Sequence, residues 1–218
     1  MTPWGEDDVA TLAAEAADAL LIPKVESKQV VDGIEGRKHM AGATDNTAIW
    51  CMIETPKGVL RAEEIASASP RLGALVIGTS DLAKDLHCLH TPRREPFMAS
   101  LSWCTLAARA NGLAILDGVH LNLADDQGFA ETCRQGREMG FDGKTLIHPK
   151  TIAAANEAYA PGTEEVDWSR RVIAVYEEAV RKGQGVVLLD GQLIENLHVE
   201  EARRVVGLAD MIAELAGG

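Results

Sequence analysis

Five short apolar runs separated by longer amphipathic stretches restrict this chain more than any other feature. They are "ADALLIPKV", "TAIWCMIE", "LGALVIGTSDL", "GLAILDGV" and "GKTLIHP". None alternates cleanly between polar and apolar residues. Continuous apolar strands are the habit of parallel sheets covered on both faces. Their last apolar residues, Ile22, Ile53, Ile77, Leu116 and Ile147, lie 24 to 39 residues apart. That spacing leaves room for a crossover helix between strands. Helical patterns fill the gaps: "EDDVATLAAEAA" before the first run, "GVLRAEEIASAS" after the second, "EPFMASLSWCTLAARANG" after the third and "QGFAETCRQGREMG" after the fourth. Gly112 is placed to cap the third of these. Strand followed by helix, repeated, predicts βα units with right-handed crossovers and an α/β fold.

After His148-Pro149 the rhythm stops. "KTIAAANEAYAPGTEEVDWSRRVIAVYEEAVRKGQG" reads as helix broken at Pro161-Gly162, and "VVLLDGQLIENLHVEEARRVVGLADMIAEL" as a short strand, a turn and a last helix. The expected division is a βα domain over 1–160 and a C-terminal extension over 161–218.

Charge excludes some partners. The net charge is −12, which repels phosphate polymers and anionic membranes, so neither a nucleic acid nor a membrane is expected as partner. No stretch reaches the ~18 uninterrupted apolar residues of a membrane span. Cys51, Cys88, Cys104 and Cys133 are scattered, with no CxxC pair, which fits a reducing compartment better than a disulfide framework. The opening "MTPWGEDDVATLAAEAA" is acidic where a signal peptide is basic, and the expected location is the cytoplasm.

Chemistry is expected at the carboxyl ends of the strands, where βα proteins gather their ligands. Glu54 ends the second apolar run at a Thr-Pro turn, and Asp81 follows the third. They are 27 residues apart, about one βα unit, so they are predicted to be spatial neighbours. Two carboxylates facing one opening repel each other unless a cation lies between them. Mg²⁺, a hard ion that keeps waters beside one or two carboxylates, suits such a pair. Either residue alone could instead cap a helix. Gly78, just before Asp81, would let backbone approach a ligand.

Lys24 could face the same opening or lie in an exposed loop. Asp117 ends the fourth run, or caps the turn at Gly118. His148 is expected to be buried and bonded to backbone. "HCLH" at 87–90 lacks further ligands at zinc spacing. Arg93-Arg94 could meet a phosphate or enter a helix in solvent.

Beyond these local readings, "LLIPKVES", "MIETPKGVLRAEEIA", "GTSDLAKDL", "AARANGLAILDGV", "GFDGKTLIHPKTIAAANEAYAP" and "LDGQLIENLHVEEARRV" resemble the citrate lyase β-subunit-like branch of the HpcH/HpaI aldolases. That branch includes malyl-CoA lyases and malyl-CoA thioesterases, and the resemblance runs over nearly the whole chain. It implies a (β/α)8 TIM barrel with a C-terminal helical extension, in trimers or hexamers. It also implies Mg²⁺ on Glu54 and Asp81 and a 3-hydroxyacyl-CoA substrate; Lys24, Gly78 and Asp117, by their strand-end placement, are the expected substrate-binding residues.

The implied reaction is Mg²⁺-dependent C–C cleavage to an acyl-CoA and a keto acid. The alternatives are thioester hydrolysis on the same site and a non-catalytic remnant. Where the family carries a catalytic Asp in a "DGxMID"-like motif, reaching a neighbouring subunit's site, this chain has Glu195 in "DGQLIE". The family's first three strands, with a substrate-gripping arginine, have no counterpart here. "TPWGEDD" resembles the stretch just after them. An incomplete barrel of about five strands is therefore expected.

Overall fold

A computed structural model describes residues 5–14, 17–40 and 47–217. The five expected strands are present: β1 Ala19–Ile22, β2 Ala48–Ile53, β3 Leu72–Ile77, β4 Ala114–Asp117 and β5 Gly143–Lys144. They form one parallel sheet in the order β1-β2-β3-β4-β5. Sequence neighbours are thus spatial neighbours throughout, and every strand ends toward the same edge. The fifth run yields only the two residues of β5, whereas the sequence reading carried it to Ile147.

Helices connect the strands. They are α1 Gly5–Ala14, α2 Lys28–Met40, α3 Pro56–Leu60, α4 Ala62–Ala66, α5 Thr79–Leu86, α6 Met98–Ala110, α7 Asp126–Glu138 and α8 Ile152–Tyr159. The expected first helix extends over residues 15–16, which lie outside the described residues, as do Thr2, Pro3 and Trp4 of "TPWGEDD". The α2 helix was not read from the sequence. Gly33 and Gly36 lower its helix propensity, but Val31 and Ile34, three apart on one face, are each 1% exposed, and that burial holds the helix. The expected helix after the second run divides at Arg61 into α3 and α4. Gly112 follows α6 at φ +67°, with its N–H and that of Leu113 closing on the Arg109 and Ala108 carbonyls, as anticipated.

The core joins Ile49, Cys51 and Ile53 of β2 and Leu75 and Ile77 of β3 to Ile65, Leu82, Phe97, Leu101 and Ile115. Burial on both faces, expected of every strand, holds best for β3. In β2 burial alternates, with Trp50 and Met52 half-buried, and in β1 Leu21 is exposed. The described helices therefore cover one face of β1 and β2 more fully than the other.

Backbone contacts divide the chain into residues 1–159 and 160–218. The second unit contains α9 Thr163–Arg181, an antiparallel hairpin of β6 Val187–Leu189 and β7 Gln192–Ile194, and α10 Asn196–Gly217. Val172, Leu189, Ile194, Val199 and Ala202 form its core. The sequence reading gave one strand here. The second follows from Asp190-Gly191, both at positive φ, a two-residue turn whose twist suits a hairpin. Among the described residues, no helix is long and apolar enough to cross a membrane.

Candidate active site

Glu54 stands directly after β2, and the chain turns into α3 one residue later. Thr55 caps that helix, its Oγ1 accepting from the Gly58 N–H at 3.0 Å, and Pro56 supplies the first helical φ. This junction fixes the Glu54 backbone, and only 5% of the residue is exposed. After β1, Lys24 adopts φ 51°. The left-handed turn aims its backbone N–H at Glu54 Oε1, 2.9 Å away. After β3, Gly78 and the first turn of α5 bring in Asp81, whose Oδ1 accepts from Lys24 Nζ at 2.6 Å. Three consecutive strand ends thus deliver Lys24, Glu54 and Asp81 to one place, as the 27-residue spacing of the carboxylates predicted.

Gly78 has a different part from the one expected. A Cβ there would lie 2.5 Å from Glu54 Cβ and 2.6 Å from Glu54 Oε2. The glycine makes room for the Glu54 side chain rather than for a ligand. Asp81 is not an N-cap either: it lies inside the first turn of α5, with Gly78 at the cap.

The two carboxyls have opposite electrostatics. Burial pushes the Glu54 carboxyl above its ordinary range, against the Lys24 amide and charge, and the neighbouring Asp81 adds to the rise. The Lys24 ammonium holds Asp81 below its ordinary range, with Glu54 bonding to it as well. A buried carboxylate beside another one, with one protein N–H for support, suits a divalent cation. Glu54 and Asp81 could offer two ligands of this kind; among the described residues there is no cluster of three His, Cys, Asp or Glu side chains fit for a metal. Mg²⁺, a hard ion commonly held by one or two carboxylates with waters retained, would suit such a pair. The Lys24 side chain is half-exposed, so a cation reaching Asp81 would compete with its ammonium.

Asp117 stands apart from this group. It is fully buried, and four hydrogen bonds from three donor nitrogens saturate it. Arg94 Nη1 donates to both oxygens at 2.7 Å, Lys144 Nζ to Oδ2 at 2.8 Å and the Gly118 N–H to Oδ1 at 2.7 Å. A carboxylate has about four lone-pair sites, so none remains for substrate. The substrate-binding expectation for Asp117 gives way to a structural ion lock. Arg93-Arg94 was read as a doublet that could meet a phosphate or enter a helix in solvent; Arg93 is exposed, but Arg94 is 6% exposed. Lys144 was not singled out, although a lysine inside an apolar run calls for a buried counter-charge.

Glu195 lies in the second unit, between β7 and α10, exposed, with its N–H donating to His198 Nδ1 at 3.1 Å. His148 is exposed rather than buried, although its Nδ1 does accept a backbone N–H, from Lys150 at 3.1 Å. In "HCLH", the His90 Nε2–H donates to the Thr79 carbonyl at 3.1 Å.

The model of the HpcH/HpaI aldolase/citrate lyase family matches residues 1–149. The chain is 46% identical over 212 residues to a (3S)-malyl-CoA thioesterase of Cereibacter sphaeroides, covering 97% of this chain and 72% of that one. It is 33% identical to the citrate lyase subunit beta of Leuconostoc mesenteroides subsp. cremoris, over 96% of this chain and 71% of that one. Among solved structures, the protein CitE of Mycobacterium tuberculosis, in complex with magnesium, acetoacetate and coenzyme A, superposes with a TM-score of 0.76 at 28% identity. That match covers 96% of this chain and 74% of the other.

Proposed function

Because the chain belongs to the HpcH/HpaI aldolase/citrate lyase family, we propose that its Lys24–Glu54–Asp81 site hydrolyses a malyl-CoA-type thioester with a bound Mg²⁺. The observation that carries this reading is the convergence of two strand-end carboxylates on Lys24: Asp81 on its ammonium, and Glu54, buried and under-donated, on its backbone N–H. The sequence alone favoured C–C cleavage, with hydrolysis as the alternative. The 46% identity to a thioesterase, against 33% to a citrate lyase subunit, supports the alternative. The five parallel strands serve as the last five of a (β/α)8 barrel in this reading.

Glu54 and Asp81 hold the metal, which when bound polarises substrate oxygens and lowers the pKa of a bound water. The Lys24 amide keeps Glu54 oriented. The Lys24 ammonium, once off Asp81, neutralises the carboxylate of the acyl group. Glu195, from a neighbouring subunit of a homo-oligomer, takes the proton of the water that attacks the thioester carbonyl. The C–S bond then breaks, and CoA leaves as the thiolate, which takes up that proton.

Product analysis on malyl-CoA tests the proposal. Malate and free CoA, formed only with Mg²⁺ and abolished by EDTA, are the expected outcome. Glyoxylate and acetyl-CoA would return the reaction to the lyase reading. No Mg²⁺-dependent turnover of either kind would favour the remnant.

A further inference from the structure

The ion lock around Asp117 has more positive charge than its carboxylate can balance. Arg94 and Lys144 are both cations, with side chains 8% and 1% exposed, and they share one fully buried carboxylate. Arg94 Nε donates to Gln135 Oε1 at 2.6 Å, and Nη1 is taken by Asp117, but Nη2 is buried without a partner. A buried guanidinium nitrogen left unpaired is costly. The other ionisable groups at this lock do not supply the missing charge. Burial pushes the Cys133 thiol and the Tyr159 phenol up, keeping both neutral. Burial also pushes the Lys144 ammonium down, so its charge is itself held there at a cost that a second anion would offset.

A cavity of about 270 Å³ opens on these cations. Thr79, His90, Arg94, His120, Asn122 and Lys144 contribute to its wall. His120 Nε2, like Arg94 Nη2, is buried and unpartnered. A carboxylate in the lining, Asp125, is exposed and already caps α7, its Oδ1 accepting from the Gly128 N–H at 2.8 Å. An unused guanidinium N–H and an unpartnered imidazole nitrogen, beside two cations that share one carboxylate, describe a receptor for a small oxyanion.

We propose that this cavity binds an oxyanion, either a carboxylate or a phosphate group, through Arg94 Nη2, Lys144 Nζ and His120 Nε2, without any metal. The site is separate from the Glu54–Asp81 pair, although Thr79 in its wall is the residue next to Gly78. It does not depend on the hydrolytic reading. Its ligand is the carboxylate of a small dicarboxylic acid or a phosphate, free or carried on a larger molecule.

Thermal melts of the full chain in EDTA, with inorganic phosphate or malate titrated against chloride at equal ionic strength, test the site. A saturable rise in Tm with at least one anion is expected, and the anion that gives it identifies the source. Arg94→Lys keeps the charge at the lock but removes the second nitrogen. His120→Phe leaves the lock untouched and keeps an aromatic edge against Phe129, whose ring centroid is 5.9 Å away. Each should raise the half-saturating anion concentration about tenfold or more, the worth of one charge-assisted hydrogen bond. Glu54→Gln should leave the anion response intact, which separates this test from that of the hydrolytic site. No saturable rise with either anion, or wild-type midpoints in both Arg94→Lys and His120→Phe, would overturn the proposal.

Discussion

Glu54 and Asp117 are both carboxylates at the ends of parallel strands, both almost fully removed from water. Asp117 accepts four hydrogen bonds from three residues. Glu54 has one protein N–H, a carboxylate neighbour and a raised pKa. Location alone therefore does not separate a structural acid from a reactive one. The number of donors does. A saturated carboxylate ties its surroundings together and has nothing left to give a ligand. An under-donated one is expensive to keep ionised, and the chain keeps it so only if a bound cation offsets the cost.

Asp117→Asn should be the most damaging way to break this contrast. It leaves Arg94 and Lys144 buried with no anion between them, so a loss of about 3–5 kcal/mol is expected, read as a lowered midpoint in denaturant. Glu54→Gln should do the reverse. It preserves an acceptor for the Lys24 amide and should leave the metal-free fold intact, while Mg²⁺-dependent turnover falls about 10²–10³-fold, as when one fixed charge or dipole is removed from a reacting centre. Similar losses of stability in the two variants would erase the distinction. Gly78→Ala falls between them: its methyl group would collide with Glu54. Overpacking of about 1–3 kcal/mol is expected, with turnover dropping further than stability because the displaced group is a proposed metal ligand.

The sequence disclosed these two acids unequally. Glu54 was legible because it ends an apolar run at a helix-starting Thr-Pro, and Asp81 because it follows the next run at βα spacing. The Lys24 contacts were only half legible. They need a left-handed turn after Pro23, which the residue type does not announce. The Asp117 lock was invisible because its cations come from a loop residue 23 positions upstream and a strand residue 27 positions downstream. Neither Arg94 nor Lys144 belongs to a local pattern. For the same reason the βα rhythm and the five strands were readable, whereas α2 was not: periodicity is local, but the burial of Val31 and Ile34 that holds α2 is decided by what packs on it.

The smallest expected effect isolates the contrast most directly, because it requires no substrate. In the metal-free chain the Glu54 carboxyl is held above its ordinary value of about 4.3, so the native state keeps a proton that the unfolded state has lost. Stability must then fall as pH rises from that ordinary value through the raised native one. Asp81 runs the other way. It is held below its ordinary value of about 3.9, so its contribution is present above that value and disappears as pH falls through the native one. The two windows lie on opposite sides of pH 4, and melts from pH 3 to 8 can separate them. In EDTA, Glu54→Gln should melt level with wild type near pH 4 and above it near neutrality, since only wild type has this under-donated buried carboxyl to ionise. Mg²⁺ at neutral pH should then raise the wild-type Tm toward that of the variant and leave the variant unmoved. A Tm difference that ignored pH would mean that Glu54 ionises without penalty. It would then be as well supported as Asp117, and the reason for placing a metal at Glu54 would be gone.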